Sequence, residues 1–166
     1  MRSVVRSWGS SPALALALGA ILLAKGAWLP ATAALGDTVA SVERDQVSLK
    51  GQLRVRSEPG YSVQEITAAN RTVVREYLSS GGVVFAVSWS GPDMPDLRQT
   101  LGTYFAPLQS AVRSQRTAHL HRGGHNHLEV RTPGLVVHAG GHMRQYFGIA
   151  YVPSLLPPNV SISDLH

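Results

Sequence analysis

The hydrophobic and polar positions divide the chain into an apolar leader, a short helix, a set of alternating strands, a second helix and a further set of strands. Arg2 and Arg6 precede a run of twelve uncharged, mostly aliphatic residues at 13–24. Lys25 and then Ala31-Thr32-Ala33 follow, with small residues at the two positions a signal peptidase reads. A positive start, an apolar run and such a site together describe a secretory signal peptide over residues 1–33, cleaved after Ala33 or Ala34. A retained membrane anchor is the other reading. Twelve helical residues span only about 18 Å, against a hydrocarbon core of about 30 Å. The remaining residues, 34–166, are expected to form one domain, with no transmembrane segment once the signal is removed.

Residues 37–49 predict a helix, with Asp37 placed to cap it and Val39, Val42 and Leu49 on one face. Alternation then predicts strands at 51–56 and 61–67, separated by Glu58-Pro59-Gly60. Strands at 72–78 and 83–89 are joined by Ser79-Ser80-Gly81-Gly82, which is hairpin chemistry. The second of these is apolar on both faces and reads as a central strand. After Gly91-Pro92, a helix capped by Asp93 carries Leu97, Leu101, Tyr104, Phe105, Leu108 and Val112 at core-facing spacings. Pro107 must kink or end it.

Residues 113–127, rich in Arg, His and Gly, read as an exposed loop or hairpin. Three more strands are predicted at 128–131, 135–139 and 143–152, before a Pro-rich irregular tail at 153–166 docks on the domain. Short connections favour antiparallel pairing. The expected fold is α+β: a meander sheet of six to seven strands with two helices packed on one face, in the order helix, strands, helix, strands.

Charge changes this picture less than it first suggests. The chain holds 15 Lys+Arg against 10 Asp+Glu, a formal net charge of +5. Arg2, Arg6 and Lys25 lie in the leader and no acidic residue does, so residues 34–166 carry 12 basic and 10 acidic side chains, a net +2. No basic helix or interleaving of arginines with aromatics supports a nucleic-acid partner. There is no cysteine, which excludes disulfides, thiolate metal sites and cysteine nucleophiles.

Histidine is the unusual component. Six of the seven lie between His119 and His142. If Arg122-Gly123-Gly124 forms a hairpin loop, period-two geometry brings His119, His121, His125 and His127 onto one face, where neutral imidazoles suit a divalent zinc, copper or nickel ion. The plainer reading is a His-rich surface loop with incidental affinity, since no carboxylate lies nearby to orient the rings. No nucleophile elbow, phosphate loop or dinucleotide fingerprint is present. Two corners remain as candidates for binding: Trp89 with Pro92, and His142 with Met143 and Arg144 after Gly140-Gly141. Each has an ordinary structural reading, Trp89 as a core aromatic and His142 as a turn residue.

Short blocks along the chain carry a resemblance. They are Leu35-Gly36-Asp37, Ala40-Ser41-Val42, Tyr61-Ser62-Val63-Gln64-Glu65-Ile66, Val74-Arg75-Glu76-Tyr77 and the run from Val84 to Pro92 (VFAVSWSGP). Pro95-Asp96-Leu97-Arg98, Leu101-Gly102-Thr103-Tyr104-Phe105, Gly134-Leu135-Val136-Val137, Gly140-Gly141-His142-Met143-Arg144 and Ala150-Tyr151-Val152-Pro153 complete it. In this order they resemble the exported proteobacterial family known as domain of unknown function 2844. The resemblance implies an exported bacterial protein and supplies no activity, ligand or catalytic residue. Arg71 and Asn159 stand where turn glycines are expected, and 119–127 falls between the blocks.

Three functions follow as expectations. The first is a non-catalytic binding or accessory protein of the periplasm or extracellular space, with an envelope or secreted protein as partner and no cofactor. The second is a metal-binding protein using His119, His121, His125 and His127. The third is a small exported enzyme with His142 as general base, which requires a carboxylate or hydroxyl about 3 Å from the ring.

Overall fold

The computed structural model describes residues 35–117 and 127–165. Helix α1 (Val39–Leu49) leads into four strands, β1 (Gln52–Glu58), β2 (Tyr61–Thr67), β3 (Val73–Ser79) and β4 (Val84–Gly91). Helices α2 (Leu97–Leu101) and α3 (Phe105–Thr117) then lead to β5 (His127–Thr132), β6 (Leu135–His142) and β7 (Gln145–Tyr151). The fold is α+β, as the periodicity predicts.

The seven strands form one antiparallel sheet in the order β1-β2-β3-β4-β7-β6-β5. The two meanders therefore join through their last strands, β4 against β7. Strand β4 is central, and its residues from Val84 to Trp89 are all buried, in keeping with its apolar pattern on both sides. The pairing Gly91↔Tyr146 puts the exit of β4 beside the β6–β7 turn, and Val73↔Ser90 puts the β2–β3 turn at the same end.

Helices α1, α2 and α3 lie on one face of the sheet. Val42 from α1, Leu101 from α2 and Leu108 from α3 pack with Ile66, Val74, Val87, Trp89, Val137 and Ala150. Helix α1 begins after Thr38, not Asp37, and Thr38 makes no side-chain cap. The Asp37 carbonyl instead accepts from Val84 N–H, which pins the segment before α1 to the sheet. The second helix is broken as Pro107 requires, but the break precedes the proline. A 3₁₀ turn over Gly102–Tyr104 separates α2 from α3, and Pro107 then sits in the first turn of α3, where its missing N–H has no partner to lose. The cap of α2 is Asp96, which accepts from the Arg98 and Gln99 backbone. Helix α3 continues through Thr117, so residues 113–117 are helical and not loop. Polar composition misleads there because the exposed face of an amphipathic helix is itself polar.

The second face is covered by the C-terminal tail. Val160 and Leu165, with Leu156 and Ile162, pack on Val63, Tyr77, Phe85 and Ala86. A β-bulge between Tyr77 and Leu78 pairs Tyr77 with Ala86 and Leu78 with Val84, leaving Phe85 as the extra residue. Consecutive residues Phe85 and Ala86 consequently both serve the tail side, while Val84 and Val87 serve the helix side. Tyr61, Tyr77 and Phe85 meet with ring centroids 6.1–6.3 Å apart.

One buried contact runs against ordinary core chemistry. Glu76, 1% exposed on β3, faces Asp45 of α1, 3% exposed. Neither Glu76 oxygen meets an N–H or O–H donor from the described residues, so the two carboxyls interact through a proton held by Glu76. Burial first, and the Asp45 carboxylate second, push the Glu76 pKa up to about 9. Asp45 also accepts a 2.6 Å hydrogen bond from Gln99 Nε2, and Gln99 Oε1 accepts from Ser48. The network ties α1 to both α2 and the sheet.

Candidate functional site

Register arranges the second face in rows. One runs Arg56, Val63, Tyr77, Ala86, Tyr151, Val136, Arg131 across all seven strands. The tail lies over the middle of this row. The next is Arg54, Glu65, Arg75, Ser88, Ile149, His138, Glu129. The third, toward the turns, is Gln52, Thr67, Val73, Ser90, Phe147, Gly140, His127. Leu165 borders the hollow beside this third row, and Phe147 within the row is 50% exposed.

The uncovered area forms two joined hollows. The first, about 440 Å³, is lined by Phe147, Ile149 and Leu165, with Ser88 and Ser90 on its floor and Arg75, His127 and His138 at its rim. Arg75 is held in place by Glu65, Nε to Oε2 2.8 Å, and Tyr77 and Ser88 share a 3.1 Å hydroxyl contact. Burial pushes the Tyr77 hydroxyl pKa up, partly offset by the Ser88 bond. The second hollow, about 490 Å³, shares Ser90 and Phe147 with the first and runs on to Gly91, Pro92, Arg71 and Arg144.

Local folding explains the second hollow. The β2–β3 connection closes with Arg71 N–H donating to Ala68 O and Ala68 N–H donating to Thr72 O, with Arg71 left-handed at φ +69°. Asn70 Nδ2 donates to Asp93 Oδ2 at 2.9 Å, and Thr72 Oγ1 bonds the Asp93 backbone. Asp93 thus clamps the β2–β3 turn to the exit of β4 rather than capping a helix. Gly91 is required at this junction, because a Cβ there would strike Thr72. Across the hollow, Arg144 occupies the two-residue β6–β7 turn at φ +65°. A left-handed backbone costs an L-residue about 1–2 kcal/mol, so both arginines stand where glycine is the easier choice. Asn159, the other position read as a glycine's place, is not among the left-handed residues.

The two corners singled out from sequence therefore meet, and Pro92 and Arg144 line the same hollow. Trp89 borders the first hollow, but it is 1% exposed and belongs to the helix-side core. Its indole lies directly over Gly148, its strand partner, where any Cβ would collide with the ring. Its Nε1–H meets no acceptor among the described residues. Met143 is 88% exposed at the turn tip. His142 is exposed opposite Gln145 and hydrogen-bonds to no carboxylate or hydroxyl of the described residues. His119, His121 and His125 lie outside the described residues. His127 pairs with Gly140, and among the described residues no three metal-ligating side chains are gathered.

Phe147, His138 and Arg71 line the hollows without standing out in the sequence. Only the left-handed place of Arg71 left a trace there, as an arginine at a turn position that suits glycine. The exposure of Phe147 is invisible in the alternation Gln145, Phe147, Ile149, Tyr151, because it depends on which part of this face other segments cover.

Among the described residues, no helix is long and apolar enough to cross a membrane. No curated protein and no solved structure matches the chain. A family model described as "Protein of unknown function (DUF2844)" matches residues 31–165, most of the chain. The blocks that suggested this family lie in the helices, the strands and the corners at the sheet's open end, and the chain belongs to the DUF2844 family.

Proposed function

We propose that the chain is an exported, non-catalytic binding or accessory protein of the bacterial envelope, and that it takes its ligand on the uncovered part of the sheet's second face. The observation that carries this reading is Phe147. It stands half exposed on β7 toward the turn end of the seven-stranded sheet, while Ile149 and Tyr151 farther along the strand pack on the tail side. An exposed aromatic in a hollow of several hundred Å³, bordered by a few polar side chains, has the form of a ligand pocket. The leader at 1–33 supports export.

The test is purification of the protein from the periplasmic fraction of cells expressing the full chain, followed by mass spectrometry of whatever small molecules leave it on denaturation. Recovery of the chain cut after Ala33 or Ala34, with a small molecule present in wild type and lost from Phe147→Ser, supports the reading. An uncut chain in the cytosol, or the same yield of small molecules from both proteins, overturns it.

A further inference from the structure

We infer that the hollow between the β2–β3 and β6–β7 turns is an anion site, in which Arg71 and Arg144 hold a phosphate or carboxylate group whose apolar body lies against Phe147. The inference rests on the open-face reading above and gives its ligand a chemical class. Both arginines are exposed, both line this hollow, and neither guanidinium has a hydrogen-bond or ion-pair partner among the described residues. No acidic residue lines it. By contrast, Arg75 and Arg131 on the same face are each matched by a glutamate.

Their backbones add to the argument. Among the described residues, two of the three left-handed residues that are not glycine are these arginines, on different hairpins, brought to one hollow by the β4–β7 pairing. The turn bearing Arg71 is fixed by Asn70, Thr72 and Asp93, so the guanidinium extends from a rigid base. A guanidinium matches the paired oxygens of phosphate or carboxylate. The shared wall at Ser90 and Phe147 lets a ligand anchored by its anion continue into the more apolar hollow.

The experiment uses protein from cells expressing the full chain, titrated calorimetrically with hexyl phosphate and inorganic phosphate, and sedimented with phosphatidylglycerol or phosphatidylcholine vesicles. Hexyl phosphate should bind wild type, and Arg71→Gly/Arg144→Gly should weaken it about tenfold or more, as two charge-assisted contacts are lost. Glycine suits both turns, so this variant keeps the fold, which an unchanged circular dichroism spectrum checks. Phe147→Ser should weaken hexyl phosphate and leave inorganic phosphate unchanged. Arginine-dependent binding to phosphatidylglycerol but not phosphatidylcholine vesicles identifies a lipid headgroup as the source, whereas hexyl phosphate binding without vesicle binding identifies a soluble one. Both support the site. Affinity unchanged in the double-glycine variant overturns the anion site. If Phe147→Ser abolishes that same binding, the open-face reading survives alone, and if neither variant alters it, both fall. Failure of wild type to bind any of the probes also overturns the anion site.

Discussion

Replacing Glu76 by glutamine tests the buried carboxyl pair beneath α1. Glu76 is 1% exposed, faces Asp45 and holds its proton up to a pKa of about 9, against 4.5 for an ordinary glutamate. Between those two values the folded chain binds a proton that the unfolded chain has released. Stability contributed by the protonated carboxyl is therefore complete below pH 4.5 and falls as pH rises toward 9. One extra bound proton corresponds to about 1.4 kcal/mol per pH unit, hence a loss of about 3 kcal/mol by pH 7 and about 6 by pH 9. Glutamine carries its own donor for Asp45 and nothing to titrate. Urea unfolding of wild type and Glu76→Gln at each unit from pH 5 to 9 measures the effect. The difference between the two proteins cancels every contribution that both share. Glu76→Gln should be the more stable protein at pH 7, by up to about 3 kcal/mol, with the gap widening to pH 9. A gap that stays constant with pH would refute a proton held between the two carboxyls.

Two further substitutions probe the two faces of the sheet. Gly148→Ala places a methyl group against the Trp89 indole and should cost about 1–3 kcal/mol in chemical denaturation, with a shift in Trp89 emission. A variant as stable as wild type would show that the indole does not lie on Gly148. Val160→Ala/Leu165→Ala removes the tail's buried anchors over Tyr77 and Phe85 and should cost about 3–6 kcal/mol. That variant should also bind the dye ANS more strongly, and unchanged dye binding would contradict the tail as the cover of this face.

The strands were legible because their signal is local. Alternation at 61–67 matches β2 residue for residue, and Ser79-Ser80-Gly81-Gly82 makes the hairpin its composition predicts. Alternation also places Val74, Glu76 and Leu78 on one face, but nothing adjacent in sequence shows that Glu76 will find Asp45, 31 positions earlier, across a helix–sheet interface. The Phe85 bulge was hidden for a similar reason. A single inserted residue breaks the period without any change in composition, and only the partner strand reveals it. At the candidate site, Pro92 and Arg144 drew notice as turn residues, whereas their meeting depends on β7 lying beside β4.

The sequence alone determined the α+β class, the core stripe on the helices, the central place of β4 and the absence of cysteine chemistry. Each follows from side-chain type and spacing within a few residues, where burial and backbone sterics act locally. Tertiary structure decided the strand order, the covering of one face by helices and the other by the tail, and the place where that cover stops. These are choices among long-range contacts of similar chemistry, settled by which arrangement buries the most apolar surface at once. Phe147 and the two arginines owe their shared hollow to that settlement.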